Sequence, residues 1–169
     1  MALIKTVRGY EPQIDDSCFI ADNATIVGEV SLGVNCTVWF NAVIRGDVHS
    51  ITIGDNTNVQ DGAIIHCTYQ KAKTVIGRNV SIAHGAIIHG CTIEDNVLIG
   101  MGAIIMDDAI IKKGSVVAAG AIILSGTIVE ENSIYAGIPA IKVKNTSDKM
   151  HEVISRTAKN YPMYAEWYK

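Results

Sequence analysis

The chain has 169 residues, within the usual size of one domain, and a formal charge of −3 with no basic run, which argues against a nucleic-acid surface. No apolar stretch approaches the roughly 20 residues of a membrane span. There are 26 Ile and 16 Val but only 4 Leu; of the 10 aromatic residues, four fall in the last nine positions. That balance argues against a helical bundle, which favours Leu, and against a conventional sandwich, which relies on rings in its core. It predicts strands around a narrow aliphatic interior.

Met1 to Tyr10 carries Lys5 and Arg8 and no long apolar block, so it does not read as a secretory leader. From Ile14 an aliphatic residue recurs every six positions, at Ile14, Ile20, Ile26, Leu32, Val38 and Ile44. After an interruption it resumes at Ile53, Val59 and Ile65, and after another at Ile76, Ile82 and Ile88. A last run begins at Ile93 and passes through Ile99, Ile105, Ile111, Val117, Ile123, Val129 and Tyr135 to Ile141. The fifth residue of each unit is small or β-branched, as at Cys18, Ala24, Ala42, Ala63, Ala86, Ala103 and Ala121; Tyr69, inside an interruption, is the exception. This double restriction predicts a triangular coil of short strands with turns stacked about 4.8 Å apart. The coil is expected over residues 1–144 and a helical tail packed on it over 145–169. Asn145 or Ser147 can cap that helix, and Met150, Val153, Ile154 and Thr157 share one face. Pro162 is expected to kink or end it before Tyr164, Trp167 and Tyr168.

A hexad of this kind, over roughly residues 14–141, resembles the hexapeptide-repeat proteins. The resemblance implies an all-β fold, a left-handed parallel β-helix of about seven turns, here with a C-terminal α-helix. A coil filled by its own side chains has no cavity, so chemistry is expected on outer faces or at breaks in the repeat. With faces counted from Ile14, the units at Ile44, Ile65 and Ile88 all begin third-face strands. The outward residues just after them, Arg45, His66 and His89, form a column one turn apart. His84 belongs to the second face, with Asp61 one turn below it. Two stacked imidazoles do not complete a Zn²⁺ shell of three or four ligands. A rotationally related neighbour, laying its second face against this third face, would supply His84; closed threefold symmetry would then make three such sites. His49 and His151 lack such a setting and read as surface residues.

The spaced segments Arg45-Gly46-Asp47, Asn58-Val59-Gln60-Asp61-Gly62 running to His66, and His84-Gly85 running to His89-Gly90-Cys91 resemble the γ-class carbonic anhydrases. The resemblance implies a lyase that hydrates CO₂ to bicarbonate as a homotrimer. Zn²⁺, or Fe²⁺ or Co²⁺, would be bound by His66 and His89 of one chain and His84 of the next. It implies attack on CO₂ by a metal-bound hydroxide, with Gln60 hydrogen-bonding the bound oxygen and Asn58 holding substrate or orienting Gln60. Asp61 is placed to accept from an imidazole N–H. Arg45 and Asp47 are implied to pair across the interface, as a trimer clasp or in catalysis.

One departure stands out. The family's archetype exports protons through a glutamate directly after the aspartate and another on a longer acidic loop. This chain has Val48 in the first place and CTYQKAK over residues 67–73 in the second. Proton export is left to buffer, to Tyr69 or to another group. Two other readings stay open: an acyl-CoA transferase or thioesterase on the same coil, and a non-catalytic metal-binding trimeric scaffold. Interruptions of about three and five added residues would cover CoA poorly. Cys18 and Cys36 stack inward and read as reduced core thiols, whereas Cys67 and Cys91 flank two candidate ligands and suit either packing or ligation. Without a CxxC pair or a dense framework, the cysteines point to a reducing, cytoplasmic setting.

Overall fold

The computed structural model describes residues 1–168 and leaves Lys169, the end of the expected tail, outside them. Most strands are only two or three residues long, because each hexad spends the rest of its length turning a corner. Parallel pairing stacks them into three columns. The first joins Ile14, Leu32, Ile53, Ile76, Ile93, Ile111 and Val129. The second joins Ile20, Val38, Val59, Ile82, Ile99, Val117 and Tyr135. The third joins Ile26, Ile44, Ile65, Ile88, Ile105 and Ile123. These side chains fill the interior, and small partners such as Ala42, Ala63, Ala86 and Ala103 are buried beside them. About seven turns result.

Corners need a residue with positive φ, which Asn tolerates better than other side-chain-bearing residues. Asn35, Asn56, Asn79 and Asn96 occupy one such column. The Asn79 amide donates to the Asn96 carbonyl oxygen one turn on, at 3.2 Å. Both breaks in the repeat fall at the corner between the third and first faces. The first is absorbed by one strand, Val43–Ile53, that runs around the corner beside Thr25–Leu32. Here Gly28 and Gly46 pair so closely that a Cβ on Gly46 would lie 2.5 Å from the Glu29 carbonyl oxygen. The second break is a turn closed by pairing of Thr68 with Ala72.

Two expectations for the end of the chain change, and one is narrowed to the second of its two candidates. Ile141 does not begin another turn: Ala140–Asn145 folds back antiparallel on Ser133–Gly137, and Ile141 is 68% exposed. The coil ends at buried Tyr135, whose ring closes its interior. Asn145 belongs to that strand, so Ser147 caps the helix, its hydroxyl accepting from the Met150 N–H. The helix α1 (Asp148–Ala165) also runs through Pro162, followed by a short 3₁₀ turn, Glu166–Tyr168. Proline removes one hydrogen bond near a helix end, and packing offsets it. Ile154, Ala158 and Ala165 are buried, and Tyr161 and Tyr168 meet the Trp39 ring at 5.4 and 5.7 Å. The helix lies over the second face, against Thr37–Val38, Asn58–Val59 and Ser81–Ile82. Among the described residues no helix is long and apolar enough to cross a membrane.

The third face is left without such a cover. Its outward residues Val43, Ile87, Ile104 and Ile122 are partly exposed and Ile64 is exposed, giving an aliphatic stripe.

The inward column sets stability. Ile99→Ala, at 0% exposure, should cost about 2–5 kcal/mol in denaturant unfolding, and Ile128→Ala, at 54%, within about 0.5 kcal/mol. Gly46→Ala should lower the melting temperature, because the close approach to Glu29 has no room for a methyl group.

Candidate metal centre

His66 and His89 are registered partners on adjacent third-face strands, directly after inward Ile65 and Ile88, so both imidazoles point outward. The first break adds a carboxylate to them. Arg45 and Asp47, two residues apart, emerge on the same side of their strand and pair within the chain, Nη1 to Oδ2 at 2.5 Å. The other Asp47 oxygen lies 3.0 Å from Nε2 of His66. Burial opposes the Asp47 charge, but hydrogen bonds from His66 and Arg45 outweigh it and hold the carboxyl below the usual carboxylate range. Burial, with the Arg45 charge, also holds His66 below its ordinary value despite Asp47, so the ring is neutral near pH 7.

Sequence reasoning missed a second carboxylate. Asp107 Oδ1 lies 2.6 Å from Nδ1 of His89, and the Thr68 hydroxyl donates to Asp107 Oδ2 at 2.5 Å. Burial opposes ionisation of Asp107 as well, and the hydrogen bonds from Thr68 and His89 outweigh it.

The two carboxylates decide where the ring protons sit. Asp47 takes the N–H at Nε2 of His66, and Asp107 takes the N–H at Nδ1 of His89. The nitrogens left over, Nδ1 of His66 and Nε2 of His89, face each other at 3.2 Å, each with a lone pair. Two acceptors have no hydrogen bond to make. A cation between them fits: tetrahedral ligands at about 2.0–2.1 Å from Zn²⁺ stand about 3.3 Å apart. The set is incomplete in one chain, since no three His, Cys, Asp or Glu side chains among the described residues are arranged to hold an ion.

His84 sits around the corner on the second face, with its side chain 48% exposed. Its Nδ1 lies 2.9 Å from Asp61 Oδ2, so a proton held there leaves the Nε2 lone pair free. Gln60 and Asn58 occupy that same face and are buried. The Gln60 amide donates to Asn58 Oδ1 at 2.9 Å, and the Asn58 amide donates to the Ser81 hydroxyl at 2.9 Å. A cavity of about 240 Å³ opens beside His84 and Asp61, walled by Trp39, Phe40 and rings of the tail. Cys67 and Cys91 point into the coil, each 1% exposed, and burial raises both thiols, Cys91 to about 12. They pack, and no thiolate is offered to the imidazoles. Cys18 and Cys36 are likewise free thiols. His49 and His151 stand apart: His49 accepts from the Ser50 N–H, and His151 meets Thr146.

Comparison with known proteins gives the family of the chain. The family described as bacterial transferase hexapeptide (six repeats) matches residues 73–106 and 90–125. A carbonic anhydrase of Geobacillus kaustophilus is 39% identical over 99% of this chain and 91% of its own length. Gamma carbonic anhydrase 2, mitochondrial, of Arabidopsis thaliana is 36% identical over 94% of this chain, which spans 59% of that relative's length. A crystal structure of a hexapeptide transferase family protein from Anaplasma phagocytophilum superposes with a TM-score of 0.95 at 36% identity, covering 99% of this chain and 98% of that one. The coil, its register and these relatives together make the chain a member of the γ-class carbonic anhydrase-like family of hexapeptide-repeat proteins, with their left-handed parallel β-helix.

Proposed function

We propose that the protein hydrates CO₂ to bicarbonate at a divalent ion, Zn²⁺ or else Fe²⁺ or Co²⁺, held at the interfaces of a homotrimer. His66 and His89 of one protomer and His84 of its neighbour would be the ligands. The observation that carries this reading is the pair of imidazole lone pairs facing each other across 3.2 Å, each ring tied at its far nitrogen to a carboxylate. The aliphatic stripe around His66 and His89 supports a second copy as the missing partner. Apolar surface beside an incomplete ligand set gains from burial what a solvated face would not. His84, turned outward with its Nδ1 on Asp61, is suited to meet that face.

When bound, the ion supplies Lewis acidity that makes water nucleophilic near neutral pH. The chain's residues set the stage around it. Asp47, Asp107 and Asp61 each fix one imidazole tautomer. Asn58, anchored on Ser81, takes one Gln60 amide proton, which leaves the Gln60 carbonyl oxygen for a water or substrate hydroxyl. Arg45 steadies Asp47. No carboxylate stands at Val48 or in the 67–73 segment to receive a proton. Tyr69, exposed under the Arg8 guanidinium at 5.8 Å, is the phenolic hydroxyl there. Proton export therefore falls largely to buffer.

The description of a similar solved structure from Bacillus cereus as a putative acetyltransferase favours a second reading, acyl transfer. Against it, neither break forms a projecting arm: one continues as strand and the other is closed by the Thr68–Ala72 pair. Saturable CoA binding that survives chelation would support transfer instead.

Protein purified anaerobically should carry about one transition-metal ion per chain, run as a trimer and hydrate CO₂. His84→Ala should remain trimeric while losing the ion and at least about 100-fold in hydration rate. Absence of stoichiometric metal in the parent protein would sink the reading, and metal with no hydration would leave a scaffold. Turnover should also rise with buffer concentration at fixed pH; a rate independent of buffer would point to an internal proton carrier.

A further inference from the structure

Three imidazoles each rest on a carboxylate, but the supports differ in construction. For His84 the support is a half-exposed Asp61. For His66 it is Asp47, carried by the first break in the repeat. For His89 it is Asp107, one turn up the coil in the unit whose Ile105 stacks on Ile88.

We infer that Asp107 and Thr68 form a positioning relay that fixes the tautomer and ring angle of His89, and that the second break in the repeat serves to deliver Thr68 to it. The consequence for metal affinity rests on the reading of His89 as a ligand; the relay itself does not.

Four features build the relay. Both Asp107 oxygens are engaged, Oδ1 by His89 Nδ1 at 2.6 Å and Oδ2 by the Thr68 hydroxyl at 2.5 Å, so the carboxylate cannot swing away without losing a partner. Its side chain is only 16% exposed, so water replaces those partners poorly. Gly90, directly after His89, makes the room: a Cβ there would lie 2.4 Å from Asp107 Oδ1 and 2.8 Å from the Ala72 Cβ. Finally, the break is stapled to both histidine strands. Thr68 pairs with Ala72, and Thr74 at its exit donates to the His66 carbonyl at 2.7 Å and accepts from the Gly90 N–H at 3.0 Å. A break inserted only to lengthen the coil would need neither contact.

The relay holds the proton on Nδ1 of His89, which keeps the lone pair on Nε2, the atom facing His66. Loss of such an outer hydrogen bond typically weakens metal binding roughly 10- to 100-fold. Asparagine at 107 retains one acceptor oxygen for His89 and turns an NH₂ group towards Thr68, whose hydroxyl can then accept, so it should retain more function than alanine.

The test uses the full chain with ¹⁵N-labelled histidine, stripped of metal and held near pH 8, where long-range ¹H–¹⁵N spectra report each ring's tautomer. His89 should carry its proton on Nδ1, and Asp107→Ala should shift it towards Nε2 while His84 and His49 stay as they were. Thr68→Val, a near-isosteric change on a half-buried side chain, should weaken the preference even if Asp107→Ala folds poorly. In Zn²⁺ titration Asp107→Ala should lose roughly 10- to 100-fold in affinity, with partial rescue by Asp107→Asn. A wild-type His89 protonated at Nε2, or a tautomer indifferent to both substitutions, overturns the relay. A tautomer that follows Asp107 in a protein that binds no Zn²⁺ upholds the relay and overturns the metal reading alone.

Discussion

The stacking of one aliphatic side chain on the next, every turn, inside a coil too narrow for anything else is the constraint on which this structure rests. Ile26, Ile44, Ile65, Ile88, Ile105 and Ile123 form one such column, buried along its length. A one-residue slip would turn each of them outward and bury its polar neighbour. The register is therefore rigid, and the outside inherits it. His66 and His89 meet because Ile65 and Ile88 stack.

A perfect coil would present flat faces and little chemistry. The two breaks change that at a single corner. One bends a strand around it and puts Asp47 between Arg45 and His66; the other folds a turn that brings Thr68 to Asp107. Close approach has its own requirement, met by Gly46 in the first break, Gly28 on the strand beside it and Gly90 beside the second break. Each carboxylate takes an N–H at a ring's far nitrogen, so the near nitrogens are acceptors turned on one another. Such an arrangement is stable with a cation and awkward without one.

Much of this was legible in the amino-acid sequence because the hexad reports burial directly. The columns, the stacking of His66 on His89 and the place of Asp61 below His84 all follow from counting six. What escaped lay where counting stops. Asp107 sits next to Asp108 at a corner, where aspartate reads as a turn residue, and its partner Thr68 lies in a break that has no register. Ile141 continues the period but follows a reversal at Ile138-Pro139, so its side chain meets solvent. Pro162 was read by its local rule, whereas aromatic packing of the tail on Trp39 carries the helix past it. Arg45 and Asp47 pair within one chain, as strand alternation allows.

In the proposed assembly the metal centre is divided between the third face of one protomer and the second face of another. Co-assembly of two defective chains, His84→Ala and His66→Ala, tests it most directly. Purified mixed trimers carrying both tags contain one interface where intact His66 and His89 meet an intact His84. About one tightly bound ion and one functioning site per mixed trimer are expected, with neither in the two parent homotrimers. Mixed trimers without an ion, or a His84→Ala homotrimer that keeps its full complement, would contradict it.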